Sequence, residues 1–319
     1  MTYFIKKIVL YFCYCLLLST ILVIGYILTY KITVYDIPAP RLSDSFSLNE
    51  KIEFIRKNNK SAEIIAIGSS ICLNNMHSKT IVQRLHSDSY LNTSSWGTTM
   101  QDNYLLLKIL CEIHTPNTLI LASNITEFQL PSKKIDSSLL KNYLISSDFI
   151  SNLYYLKCFD LRYYIDNFKY AKKVRSSKND YEYLVFDEHG GVNLDGTNFK
   201  IDMKRWNTGF ESGEIIDDNY LYLDSISSFC KSNNIELLFF QSPFRNGLYS
   251  SFDNSKLAAL KLHVRKIESI LETDQHVFID SNMHLWGDTL FIDGEHLSSK
   301  GAESFTEYCF DKTDRIITR

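Results

Sequence analysis

Four short stretches of this 319-residue chain carry side chains able to do chemistry at a turn. Asp293-Gly-Glu-His296 places a carboxylate three residues before a histidine. In that spacing the carboxylate can accept one imidazole N–H while the other ring nitrogen faces a nucleophile. The same residues equally suit a surface turn with a salt-bridged histidine. Gly68-Ser69-Ser70 ends a short apolar run and could present a hydroxyl, although Gly-Ser-Ser is ordinary turn composition. Asn92-Thr-Ser-Ser-Trp-Gly97 ends in a glycine, which permits close backbone approach to a ligand. Leu119-Ile-Leu-Ala-Ser-Asn124 sets an amide at the end of another apolar run, where turn stabilisation is the common use of asparagine. Each stretch alone is a weak signal, and their order along the chain carries more information.

The segments between these stretches predict what positions them. Apolar runs at 63–68, 88–92, 118–123, 235–241 and 276–280 read as buried strands, and helical patterns at 78–86, 99–114, 217–233, 255–272 and 298–310 alternate with them. Strands that are apolar throughout require cover on both faces, which predicts a three-layer α/β/α sandwich around a mostly parallel five-stranded sheet. In such sheets ligands sit beyond the C-terminal strand ends, where three of the four stretches fall. Ser47-Leu-Asn-Glu50 has the form of a capping box and is expected to open the domain, residues 47–319. Between about 128 and 213 the alternation stops and the chain turns rich in tyrosine, as in Leu153-Tyr-Tyr-Leu-Lys and Leu161-Arg-Tyr-Tyr-Ile. That stretch is read as an insertion whose aromatics either form a small core of their own or stack on sugar rings or a partner.

Forty-five per cent apolar residues, with 20 Phe and 20 Tyr against 12 Gly and 5 Pro, exclude a disordered or collagen-like chain. Net charge is −3, and the first 31 residues hold Lys6, Lys7 and Lys31 without an acid, leaving −6 for residues 32–319. That balance argues against nucleic acid as a partner. Ile8 to Tyr30 is a run of 23 uncharged residues, enough to cross a hydrocarbon core of roughly 30 Å. The chain after Tyr30, Lys-Ile-Thr-Val-Tyr-Asp, lacks a small-residue cleavage site, so residues 1–31 read as an uncleaved signal anchor and 32–46 as a linker. Lys6 and Lys7 put the N-terminus in the cytoplasm, with the folded domain in the periplasm or outside the cell. Five cysteines lie beyond the span, Cys72, Cys111, Cys158, Cys230 and Cys309, in no paired spacing, so at least one is unpaired within the chain. Cys111, Cys230 and Cys309 fit small buried hydrophobes, and no Cys-x-x-Cys or His-x-x-x-His suggests a metal.

Taken together, Gly-x-Ser, a later Gly, x-Asn and a closing Asp-x-x-His resemble the SGNH, or GDSL-type, hydrolase superfamily, over most of residues 60–311 outside the insertion. The resemblance makes Ser70 the counterpart of the nucleophile, His296 of the base and Asp293 of the acid. It makes the Ser70 and Gly97 N–H groups and the Asn124 amide the counterparts of the oxyanion donors. Ser69 stands where the family commonly has aspartate, and Ala122 and Ile125 replace the usual neighbours of the asparagine. A membrane anchor, Gly-Ser-Ser, Tyr104-Leu-Leu-Leu-Lys108, the large insertion and Asp293-Gly-x-His-Leu-x-x-x-Gly-Ala302 look like one branch. That branch holds the D-alanyl-lipoteichoic acid transfer proteins and SGNH-like proteins of polysaccharide O-acetylation. It implies acyl transfer to, or removal from, an envelope glycopolymer, without metal or organic cofactor. The partners it implies are the glycopolymer, the lipid bilayer and, as a further candidate, a membrane-bound acyltransferase. The departures motivate a second expectation, a catalytically silent glycan-binding or scaffold module of a membrane acyl-transfer complex. A membrane-tethered flavodoxin-like binding domain is a third, resting on the α/β pattern alone.

Overall fold

The structure is a computed structural model describing residues 2–30, 38–58, 61–132, 135–174, 177–211 and 215–317. Its first half runs α1 (Thr2–Tyr30), α2 (Phe46–Lys57), β1 (Ile64–Ile67), α3 (Ser70–Asn75), α4 (Ser78–Leu85), β2 (Tyr90–Asn92), α5 (Met100–Ile113) and β3 (Thr118–Ser123). Helices α6 (Ser137–Leu144), α7 (Asp148–Lys157), α8 (Leu161–Val174) and α9 (Met203–Asn207) follow. The chain then returns through α10 (Asp217–Ser232), β4 (Glu236–Gln241), α11 (Asn246–Tyr249), α12 (Asn254–Thr273), β5 (Val277–Asp280) and α13 (Ser299–Ile317).

All five expected strands form, in one fully parallel sheet of order β2-β1-β3-β4-β5. Alternate side chains show why both faces need cover. Ile65, Ile67, Leu119, Leu121, Leu237 and Phe239 join a core with α2, α5 and α10. Ile64, Ala66, Ile120, Ala122, Leu238 and Phe240 join a second core with α4 and α13. The architecture is therefore α/β/α. The order of strands reverses its direction of growth after β2, so the crevice between the C-terminal ends of β1 and β3 is the topological switch point.

The start of the domain differs from expectation. α2 opens at Phe46 after Ser45, and the Ser47–Glu50 capping box does not form. Tertiary partners take both side chains: Ser47 Oγ accepts the Trp96 N–H at 3.0 Å, and Glu50 accepts the Ala39 N–H at 2.8 Å. Residues 38–45, expected as part of a linker, are thereby packed onto the domain, with Ala39 and Leu42 buried.

The insertion keeps no separate core. Tyr143 and Tyr154 enter the α2/α5/α10 core, Tyr183 and Leu184 pack with Leu73 and Ile292, and Phe210 packs with Phe244 and Phe252. Its loop around Gly190 is bolted to the sheet edge by a buried lysine. Lys51 Nζ donates to the carbonyls of Asn92 and Gly190 and lies 4.0 Å from the Phe186 ring centroid. Burial lowers this ammonium to about 7, against the pull of Asp187. Gly190 has φ +91°, and a Cβ there would stand 2.5 Å from the Asn92 carbonyl, so no other residue fits.

All the described cysteines are free, with Cys72, Cys230 and Cys309 buried. The 23 residues Tyr3–Gly25 of α1 are long and apolar enough to cross a membrane, and none of that window is buried against the rest of the chain.

Candidate active site

Ser70 is placed by the turn that ends β1. Gly68 has φ +151°, and a Cβ there would meet Cys72 Cβ at 2.5 Å and the Ala122 carbonyl at 2.9 Å. Only glycine lets β1 pass this close to β3 and turn into α3. Ser69 caps the helix by accepting the Ile71 N–H at 3.1 Å, which is what a serine does where the family resemblance has aspartate. Ser70 is then the first residue of α3, with its N–H among those that have no acceptor inside the helix.

The loop before α13 brings His296 to Ser70. The Ser70 hydroxyl lies 2.9 Å from His296 Nε2, and His296 Nδ1–H donates to Asp293 Oδ2 at 2.9 Å. Asp293 Oδ1 also accepts the backbone N–H groups of Glu295 and His296, at 3.0 and 2.7 Å, so the carboxylate is oriented by its own turn. Asn75, at the end of α3, holds the loop from below. Its amide donates to the Glu295 carbonyl at 2.9 Å and to Ser242 Oγ at 2.8 Å, and its carbonyl accepts the Leu297 N–H at 2.8 Å.

Electrostatics follow from these contacts. Burial disfavours the imidazolium, but Asp293 and then Glu295 outweigh it and raise His296 to about 9. Burial would raise Asp293, yet His296 and the two backbone N–H groups hold it below the ordinary carboxylate range. Behind the histidine, burial raises Glu295 with Asp293 adding to it, and burial pushes Glu127 up to about 8. These two carboxyls tie the site to β3: Glu295 Oε2 accepts from Asn124 Nδ2 at 2.8 Å and Thr126 Oγ1 at 3.1 Å, and Glu127 accepts from Ser123.

The structure thus brings Ser70, Asp293 and His296 into one hydrogen-bonded chain at the switch point. Asn124 stands beside it, with its amide donating to Glu295. Gly97, φ +61°, lies in a loop pinned to β1: Ser95 N–H and Thr98 Oγ1 both donate to the Gly68 carbonyl, at 3.1 and 2.7 Å.

A cavity of about 250 Å³ opens over Ser70 and His296, walled by Asn74, Trp96, Tyr181, Glu182, Leu194, Arg205 and Ile292. Neither Gly97 nor Asn124 is in that wall. Sequence reasoning missed Asn74, which lies one helical turn from Ser70 and is 3% exposed, with Oδ1 lacking a partner among the described residues. The i, i+4 spacing from Ser70 was the available signal. It also missed Tyr181, Glu182 and Arg205, which the insertion delivers. Tyr181 donates to the Ile292 carbonyl at 2.9 Å, and the Arg205 guanidinium sits 4.5 Å from the Tyr181 ring centroid. Among the described residues no three His, Cys, Asp or Glu side chains gather as a metal site would need.

No family model matches the chain, and no curated protein does. Similar solved structures include a GDSL-like lipase from Bacteroides thetaiotaomicron VPI-5482, at 10% identity over 83% of this chain and 99% of that one, TM-score 0.42. A point mutant of an acetyl-xylooligosaccharide esterase from Geobacillus Stearmophilus shares 13% identity over 80% and 95%, TM-score 0.39. The psychrotrophic esterase EstA from Pseudoalteromonas sp. shares 11% over 81% and 100%, TM-score 0.38.

Proposed function

We propose that this protein is a membrane-anchored serine acyl-transfer enzyme that adds or removes O-acyl groups on an envelope polysaccharide or glycopolymer. The observation that carries the reading is the chain from Ser70 Oγ to His296 Nε2, 2.9 Å, and from His296 Nδ1 to Asp293, 2.9 Å, at the mouth of a cavity. Serine is a weak nucleophile until a base takes its proton. In this reading neutral His296 accepts the Ser70 proton as Oγ attacks the acyl carbonyl, and Asp293 fixes the tautomer and stabilises the imidazolium. Imidazolium then protonates the departing alkoxide, leaving an acyl-serine. Water or a sugar hydroxyl attacks that ester as its proton passes to His296; the acyl–Oγ bond then breaks and the imidazolium returns the proton to Ser70.

The tetrahedral oxyanion is assigned to the N–H groups of Ser70 and Gly97 and the Asn124 amide, with Asn74 as a further donor in the cavity wall. Trp96 and Tyr181 in the wall support a carbohydrate substrate, because flat aromatic faces stack on sugar rings. The alternative, a catalytically silent glycan-binding or scaffold module, is favoured by one observation: the Asn124 amide donates to Glu295. Fluorophosphonate labelling of the full chain in membranes, with peptide mapping and Ser70→Ala, separates the two. Label on Ser70 that is lost in the variant supports the enzyme; folded protein without label supports the silent module.

A further inference from the structure

Helices α7 and α8 each carry apolar residues that nothing among the described residues covers. On α7, Phe149, Leu153 and Leu156 follow one face at i, i+4, i+7, exposed by 75%, 47% and 42%, while Ser151, Tyr154 and Tyr155 on the opposite face are buried. On α8, Leu161 and Ile165 repeat the spacing at 61% and 48%, and Phe159 at the corner is 47% exposed. Exposed apolar residues aligned at helical spacing on two consecutive helices mark a binding surface rather than scattered exposed residues.

The chain itself says what lies opposite. The α7–α8 corner is fastened to the first residues of the domain: Arg41 pairs with Asp160, Tyr163 donates to the Ala39 carbonyl at 3.2 Å, and Asn49 donates to Tyr163 at 3.1 Å. Residue 38 is separated from the end of α1 by residues 31–37. Seven residues, however they run, reach at most about 25 Å. If α1 spans the bilayer, as its length and hydropathy support, the corner stays within that reach of the end of α1.

Charge points the same way. Residues 148–174 hold five basic residues, Lys157, Arg162, Lys169, Lys172 and Lys173, against three acids, in a domain that is acidic as a whole. All three acids are paired, Asp148 with Arg56, Asp160 with Arg41 and Asp166 with Arg162. An exposed apolar face on a segment of net positive charge fits the interface of an anionic bilayer.

We propose that the α7–α8 face of the insertion docks on the lipid surface, seating Phe149, Leu153, Leu156, Leu161 and Ile165 among the acyl chains next to the headgroups. The first turn of α2 connects this face to the candidate site. Its Asn49 holds Tyr163, and its Ser47 holds the N–H of Trp96, which walls the cavity over Ser70. Docking therefore sets the height of the cavity above the membrane. The proposal rests on the reading of α1 as a membrane span and is independent of acyl chemistry at Ser70.

The test uses the full chain reconstituted in vesicles of phosphatidylethanolamine and phosphatidylglycerol, with or without bromine on the acyl chains. Trp96, Trp206 and Trp286 give a constant background, and Phe149→Trp, Leu153→Trp, Leu17→Trp and Leu285→Trp each add one reporter. Leu285 follows β5, at the sheet edge opposite β2, and is 74% exposed. The expected result is loss of most of the added emission in brominated vesicles for the reporters at 149, 153 and 17, and none for 285. Quenching at 17 without quenching at 149 and 153 overturns the docking while leaving the span intact. A blue-shifted reporter at 149 that bromine does not quench overturns it in favour of a protein partner or a second copy. Absence of quenching at 17 removes the premise and the proposal with it. Fluorophosphonate labelling of the same variants reads the Ser70 chemistry separately.

Discussion

Replacing Asn75 by leucine, close to it in size, should loosen the candidate site without touching Ser70, His296 or Asp293. The side chain makes three hydrogen bonds, to the Glu295 carbonyl, the Leu297 N–H and Ser242 Oγ, all between 2.8 and 2.9 Å. Asn75, Leu297 and Ser242 are fully buried, so water cannot replace what is lost. An orphaned buried polar group costs about 1–3 kcal/mol, so three groups at the lower bound give about 3 kcal/mol. For a domain of this size that is a fall in Tm of roughly 6–12 °C. The kinetic consequence is separate. Asn75 flanks His296 on both sides, and misplacing a reacting group by an ångström costs about 100-fold in rate. Thermal unfolding by circular dichroism gives the first quantity, and the rate of fluorophosphonate labelling of Ser70 below the melting range gives the second. Asn75→Asp keeps the acceptor for Leu297 but not the donors, and should fall between. Asn75→Leu melting within a degree or two of the parent would refute the clamp. An altered melt with an unchanged labelling rate would refute its role in placing His296.

Further outcomes follow from the same geometry. Because Asp293 raises His296 to about 9, the neutral base gains population as pH rises, so Ser70 labelling should climb through about pH 9. In Asp293→Asn that limb should shift to lower pH, because burial is then opposed by Glu295 without Asp293, and the plateau rate should drop by about 10⁴-fold; a pH–rate profile decides both. The linked stability has a definite sign: the raised His296 contributes below its ordinary value of 6.5, and the contribution is lost as pH rises through about 9. Lys51 works in the opposite sense. Its folded value of about 7 lies below the ordinary 10.5, so the unfolded chain binds more protons between them and stability attributable to this group grows across that window. Melts of the parent should therefore gain on those of Lys51→Met as pH is raised from 7 to 10, and parallel curves would refute the lowering of Lys51 by burial. Asn74→Ala, removing the wall residue one turn from Ser70, should slow labelling by about 10²–10³-fold as loss of an oxyanion donor does, with little change in Tm.

What could be read beforehand divides along a physical line. The strands were legible because parallel strands covered on both faces must be apolar at every position, a signal carried by consecutive residues such as Ile64-Ile-Ala-Ile67. Asp293 and His296 were legible because one turn of four residues holds both. Asn75 was not, since its partners Glu295 and Leu297 lie more than 200 positions away and leave no local pattern. The misread capping box has the same cause. Ser47-x-x-Glu50 contains the right groups, but Trp96 and Ala39 compete for them and win through the tertiary fold.

The insertion shows how far that line reaches. Its tyrosines could not be assigned from composition, because a buried Tyr143, a cavity-wall Tyr181 and a corner Tyr163 have the same local surroundings in sequence. In the fold they do three different things. Tyr143 donates to the buried Glu53, Tyr181 secures the Ile292 carbonyl one residue before Asp293, and Tyr163 fastens the corner to residues 39 and 49. One segment without periodic pattern thus ties the core, the candidate site and the start of the domain together. Shortening it should therefore disturb Ser70 reactivity and the domain's attachment at residues 38–41 at once, rather than merely trimming a surface loop.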